Sequence, residues 1–166
     1  MIVAATRRRR VTRRTASKVL RRAPETDPAR SALMRAVRQK GTGGELTVGR
    51  VLRSLGVSAR HNVKSLPVSP DLVTADGRLA IFVHGCFWHR HGGCTRTTTP
   101  KRNRAFWLAK FRANVSRDRR KTRALRDLGV DVLVIWECET RSLEKLAAKL
   151  ARAVGRRRGR FTTTLR

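Results

Sequence analysis

From residue 31 onward, apolar side chains recur in two kinds of pattern. Leu33, Met34 and Val37 fall on one side of a short helix over residues 31–39, which Gly41-Thr42-Gly43-Gly44 breaks. Leu46, Val51, Leu52 and Leu55 then recur at helical spacing; Thr42 or Gly43 can cap this second helix, and Gly56 stops it. Strand patterns follow. Residues 57–63 read weakly as a strand, Leu66 to Pro70 as extended or turning chain, and Asp71 to Thr74 as a short strand. Asp76-Gly77 is a hairpin signal ahead of the apolar strand Leu79 to Val83. With the turn there, residue 71 stands opposite residue 82. Side chains alternate along a strand, so Asp71, Phe82 and His84 should share a face.

Residues 84–100 read as a loop dense in His, Cys, Gly and Thr. Helical spacing returns from Asn103 to Leu128 through Phe106, Trp107, Phe111, Val115, Leu125 and Leu128, closed by Gly129. Asp131 to Trp136 is apolar after its first residue and is expected to be a strand buried on both faces. Thr140 to Val154 is a helix with Leu143, Leu146 and Leu150 on its apolar side. The order of elements predicts an α/β domain, a mixed sheet with helices packed on it.

Length and charge narrow the class. A chain of 166 residues suits one domain with a real core. The net charge is +29, from 40 Lys and Arg against 11 Asp and Glu. Self-repulsion of that size opposes folding unless a polyanion is present, and nucleic acid is the obvious partner. Residues 1–28 read as a basic disordered arm; an organellar presequence or a start codon placed too early are the other readings of that Arg-rich composition. Residues 155–166 form a basic tail, which leaves 29–154 as the folded domain. No apolar run approaches the ~20 residues of a membrane span. Three cysteines is an odd number, which fits a reduced compartment with thiolates free for metal better than a disulfide framework. The expected location is therefore cytoplasmic, associated with the nucleoid.

Three of the four histidines, His84, His89 and His91, lie within eight positions, and Cys86 and Cys94 share their loop. Structural zinc takes four cysteine or histidine ligands in a tetrahedron. Cys86-x4-His91-x2-Cys94 offers three, with Gly92 and Gly93 easing the last turn, and Cys138 beyond the strand 131–136 would be the fourth. The alternative is a small core cysteine at 138 and surface histidines.

Pro70-Asp71 entering a strand, followed by a hairpin into a second apolar strand, resembles the PD-(D/E)xK nuclease core. In that core an Asp binds Mg2+ and the second strand carries an acid and a Lys. Here the second strand offers Phe82-Val83-His84: the acid is absent, and a histidine stands where the lysine would. A backbone carbonyl, that of Val83, could supply the missing oxygen ligand, and Mg2+ accepts such a set with waters and phosphate oxygens. A structural Asp capping a turn is the plainer reading of Asp71 taken alone.

Phe82-Val83-His84-Gly85-Cys86-Phe87-Trp88-His89 closely resembles the signature loop of the very-short-patch repair (Vsr) DNA mismatch endonucleases. Residues 30–34, Thr42-Gly43-Gly44-Glu45, Leu66 to Asp71, Phe106-Trp107, Asn114, Arg117-Asp118 and Trp136-Glu137-Cys138 follow in that family's order. The resemblance covers roughly residues 29–154. It implies a restriction-endonuclease-like α/β core with one structural zinc and a monomer that nicks one strand of double-stranded DNA at a T:G mismatch with Mg2+, with mismatch-repair proteins as candidate partners. Carried over by position, Asp71 would bind Mg2+ together with the Val83 carbonyl, and His89 would be the general base. His84 would stand beside the phosphate or a water on the metal, and Glu45 would support the metal centre. Phe87, Trp88 and Trp107 would push between base pairs, with Met34 entering from the first helix; core packing is the other reading for Trp107 and Met34.

Three departures stand out. Val68-Ser69 occupies a position where the family commonly has Gly after Leu-Pro, the His91-x2-Cys94 step is one residue longer, and the basic arm is longer than usual. Two further readings remain open: a related nuclease with another target, such as a restriction, abasic or damaged-base site, and a zinc-stapled DNA-binding module without activity.

Overall fold

The computed structural model describes residues 40–63 and 66–161, with Ala32 and Ala36, both helical, ahead of them. The arm 1–28 and Met34 lie outside the described residues. In chain order the elements are helix α1 (Gly43–Ser54), strands β1 (Ala59–His61), β2 (Leu72–Thr74) and β3 (Leu79–His84), helix α2 (Cys86–His89), helix α3 (Arg104–Asp127), strand β4 (Asp131–Trp136), a 3-10 turn (Glu137–Arg141) and helix α4 (Leu143–Phe161).

Local sequence accounts for most of these limits. Thr42 caps α1: its hydroxyl accepts the Glu45 N–H at 3.3 Å while the Glu45 carboxylate accepts the Thr42 N–H. Gly56, just beyond the end of α1, has φ +70°, a conformation that suits only a residue without Cβ. Gly77, also at positive φ, closes the hairpin between β2 and β3, whose register pairs Leu72 with Ile81 and Val73 with Ala80. One step back, Asp71 stands opposite Phe82, as the hairpin signal predicts.

Among the described residues the sheet has the order β1-β2-β3-β4, with β3 antiparallel to β2 and parallel to β4. Alternation along the strands divides the interior. Leu72, Leu79, Ile81 and Ile135 face α1 and α4, packing on Val48, Leu52, Leu146 and Leu150. Val73, Ala80 and Phe82 face the other way, onto Leu125 near the end of α3 and Val130. Asp71 and His84 share this second face.

Several expectations are corrected. Among the described residues β4 is an edge strand in which only Ile135 is fully buried, because β3 is its only strand partner there. Lys149 of α4 covers part of its length, donating to the Val134 carbonyl at 3.0 Å and to the Glu139 carboxylate. The last helix begins at Leu143, since residues 137–141 form the tighter 3-10 turn, and it runs through the predicted tail boundary to Phe161. Leu46, Leu55, Leu128 and Leu143 are exposed, so the apolar stripes are narrower than the spacing implies. The weak strand 57–63 is reduced to Ala59–His61, followed by Asn62 at positive φ. The loop after β3 contains the helical turn α2. No helix among the described residues is long and apolar enough to cross a membrane.

Candidate active site

The site forms where β3 outruns β2. Asp71 is held there twice: its N–H donates to the Ile81 carbonyl at 3.1 Å, and its Oδ2 accepts the Val83 N–H at 2.7 Å. In a strand the N–H and C=O of one residue point to the same side, so the Val83 carbonyl also leaves β3 on the side of Asp71. Burial raises the Asp71 pKa above the usual carboxylate value, the Val83 N–H opposes the rise, and the negative charge of Glu45 adds to it. Glu45 is 2% exposed and its oxygens accept from Gly41 N–H, Thr42 N–H and the Thr42 hydroxyl. Two carboxylates are thus held in mutual electrostatic reach at this end of the sheet.

His84, the last residue of β3, is buried and stacks on His89 with ring centroids 4.0 Å apart and planes 12° from parallel. Burial, followed by repulsion from His89, lowers the His84 pKa to about 4, so its ring is neutral at neutral pH. His89 ends α2, and its Nδ1 lies 2.6 Å from Oδ2 of Asp118 on α3. Burial pushes the Asp118 pKa up, but the His89 hydrogen bond and nearby positive charge outweigh it and hold the carboxyl below its usual value. Asp118 received no role from the sequence, although it belongs to a recognised motif; 29 residues separate it from His89. The available signal was its i, i+4 relation to Asn114, whose side-chain N–H donates to the Trp88 carbonyl at 3.1 Å. Together the two side chains bind α2 to α3.

At the start of α2 the chain brings together Cys86, His91, Cys94 and Cys138, with one ligand atom of each within 4.8 Å of the others. His91 Nδ1 lies 3.7 Å from Cys86 Sγ and 3.3 Å from Cys138 Sγ. A tetrahedral ion with Zn–S near 2.3 Å and Zn–N near 2.0–2.1 Å would separate such atoms by roughly 3.6 Å. The donor set and spacing therefore fit a zinc-type cation. Arg90 at φ +60° and Gly93 at φ +71° turn the loop, whereas Gly92 keeps an ordinary φ. The Thr97 hydroxyl lies within hydrogen-bond distance of the carbonyls of Cys86 and His91. Burial beside two other thiols pushes Cys138 up to about 12. A cation would remove that penalty by taking the thiolates as ligands.

Phe87 and Trp88, between the two sets of ligands, are half-buried and pack with Trp107 and Phe111 at ring separations of 5.1–5.9 Å. Phe111 is the buried floor of this cluster, while Phe87, Trp88 and Trp107 keep partial exposure. An open groove of about 620 Å3 passes beside His84, His89 and Trp136 and is walled by Arg119, Arg123 and Arg126.

The chain matches the family model described as DNA mismatch endonuclease Vsr over residues 24–96. It is 45% identical over 121 residues to the type II nicking enzyme V.XorIIP of Xanthomonas oryzae pv. oryzae, covering 73% of this chain and 88% of that protein. It is 43% identical over 117 residues to the DNA mismatch endonuclease Vsr of Escherichia coli, covering 70% of this chain and 74% of that one. A type II nicking enzyme of Neisseria meningitidis serogroup A, V.NmeAIP, is 35% identical over 129 residues, covering 78% of this chain and 91% of its own length.

Proposed function

The chain belongs to the Vsr family of DNA mismatch endonucleases, and on that premise we propose that it nicks one strand of duplex DNA at a T:G mismatch by Mg2+-dependent phosphodiester hydrolysis. The observation that carries this reading is the meeting of Asp71, His84 and the His89–Asp118 pair at one end of β3, beside a groove walled by arginines.

Each group has a part that its surroundings support. Asp71 and the Val83 carbonyl offer hard oxygen donors, and a carboxylate buried beside Glu45 favours a divalent cation. Mg2+ held there would set positive charge against the phosphate oxygens. His89 has Nδ1 engaged by Asp118, which leaves Nε2 to take a proton from the attacking water as general base. Asp118 fixes that ring's orientation. His84, neutral and stacked on His89, can hold the phosphate or a water by hydrogen bonding without adding charge. The Glu45 oxygens are engaged by residues 41 and 42, so Glu45 acts on the cation site through its charge.

Cys86, His91, Cys94 and Cys138 would hold a structural Zn2+ that secures the loop carrying α2. Phe87, Trp88 and Trp107 are the wedge, and Met34 joins them in this reading. Unstacking DNA costs roughly a few kcal/mol and less at a mismatch, which gives selectivity. Residues 29–154 carry the nuclease, and the basic arm and tail add phosphate contacts. A single chain holds every group named, which supports action as a monomer.

The test is a strand-labelled nicking assay in Mg2+ on duplexes with one T:G, T:A or C:G pair at the same position. The expected result is nicking of the T strand at T:G alone, reduced about 10³-fold or more in Asp71→Ala, equivalent to roughly 4 kcal/mol of barrier. Cutting of all three duplexes would favour a nuclease with another target. Binding without cutting in Mg2+ or Mn2+ would overturn the enzyme reading.

A further inference from the structure

The second strand of the hairpin lacks the lysine of the PD-(D/E)xK pattern, yet a lysine of α3 lies over the Phe82 ring of that strand. Asn114, Asp118, Lys121 and Leu125 are spaced 4, 3 and 4 residues apart and form one stripe of that helix. The stripe is anchored on both sides of Lys121. Asn114 and Asp118 bond α2, and Leu125 is buried with Phe82 and Ala80 against the sheet. Lys121 is thereby held over the face that carries Asp71, Phe82 and His84. Its Nζ is 5.9 Å from the centre of the Phe82 ring, and that ring is 5.8 Å from His84. Phe82 stands opposite Asp71 in the hairpin register.

Among the described residues, no carboxylate forms an ion pair with Lys121. Its ammonium instead faces the candidate site across the Phe82 ring. A half-buried ammonium with no paired anion, fixed beside a site for phosphate hydrolysis, is suited to an anionic substrate group. Contact with the Phe82 ring at this distance is by itself a weak reason for a cation.

We propose that Lys121 contacts the scissile phosphate beside Asp71, supplying from helix α3 the cation absent from the second strand. The assignment rests on the nuclease reading above. A lysine ammonium binds phosphate as a compact point charge, and expulsion of water by docked DNA strengthens the attraction as charge develops on the phosphate.

The experiment compares the full chain with Lys121→Met, which keeps the aliphatic stem on Phe82, Lys121→Gln as a second neutral variant, and Lys121→Arg. Nicking of a T:G duplex is followed in Mg2+, with KM and kcat determined separately and thermal unfolding recorded for each variant. The expected result is a kcat about 10²-fold lower in the folded neutral variants, KM within about threefold, and recovery of at least about tenfold in Lys121→Arg. A folded neutral variant with kcat within about threefold of the parent would overturn the role of Lys121 and leave the nuclease reading standing. A parent chain that nicks no duplex would overturn both.

Discussion

Two clusters of metal-type side chains meet at the four-residue helix α2, one through Cys86 at its start and one through His89 at its end, and they differ in both chemistry and closure. Cys86, His91, Cys94 and Cys138 are a soft set of four whose number and spacing fit a tetrahedral cation. His84, His89 and Asp118 are imidazole and oxygen donors engaged with one another, Asp71 is tied to the Val83 N–H, and the groove beside the two histidines remains open. A closed set has no position left for a reactant, whereas an open one does. In the proposed function the first cluster would serve architecture and the second chemistry. Trp136 is their common wall: His91 stacks on it at 4.3 Å, and His84 meets it edge-on at 5.5 Å.

The sharpest way to break this division is to open the closed set. Cys138→Ser should lose bound zinc, measured by elemental analysis, and lower the unfolding temperature by about 10 °C or more, since metal binding to such a set is folding free energy. Nicking would then fall only as the folded fraction falls. Unchanged stability and full activity would remove the architectural role. The next effect is smaller and lies at the other end of α2. Asp118→Asn should leave unfolding within a few degrees of the parent and lower kcat about 10²-fold, because His89 loses the group that orients it. A fall in stability without a fall in kcat would make Asp118 a purely structural contact.

The smallest effect concerns pH. Folding holds the His84 pKa near about 4, below its ordinary 6.5. As pH falls through this window the unfolded chain takes up a proton that the folded chain refuses. The stability due to the neutral ring is therefore complete above about pH 6.5 and is lost toward pH 4. Asp118, with its pKa lowered, loses its contribution only below its ordinary 3.8. In urea unfolding at pH 7, 5.5 and 4.5, the stability lost between pH 7 and 4.5 should be smaller by roughly 2 kcal/mol in His84→Gln than in the parent. Equal losses would mean that His84 is not the group excluded from protonation.

What could be read from the chain alone follows the range of the interactions. The capping pair Thr42 and Glu45, the hairpin at Asp76-Gly77 and the helix from 103 to 128 are written in residues a few positions apart, and their limits agree with the structure within about two residues. The register brought Asp71, Phe82 and His84 to one face because the period of a strand admits only two choices. The role of Asp118 depends on a contact across 29 residues, which no local pattern encodes. The exposure of β4 depends on which strands flank it, and an apolar run cannot distinguish an edge from a centre. Leu143 satisfies helical spacing yet lies in solvent, because the preceding 3-10 turn changes where α4 begins.

The position of β4 at the edge of the sheet has a colloidal consequence. An uncovered strand edge is a template for adding another chain, and a parallel apolar one is a particular hazard. Lys149 occupies the Val134 carbonyl from within the same molecule, so one rung of that template is already filled. The opposite edge, β1, is three residues long, exposes Arg60 and His61, and ends at the left-handed Asn62. Each edge thus carries its own stopper, and a net charge of +29 keeps copies apart at longer range. The same chain can therefore crowd onto a polyanion at high local density without its sheets joining end to end.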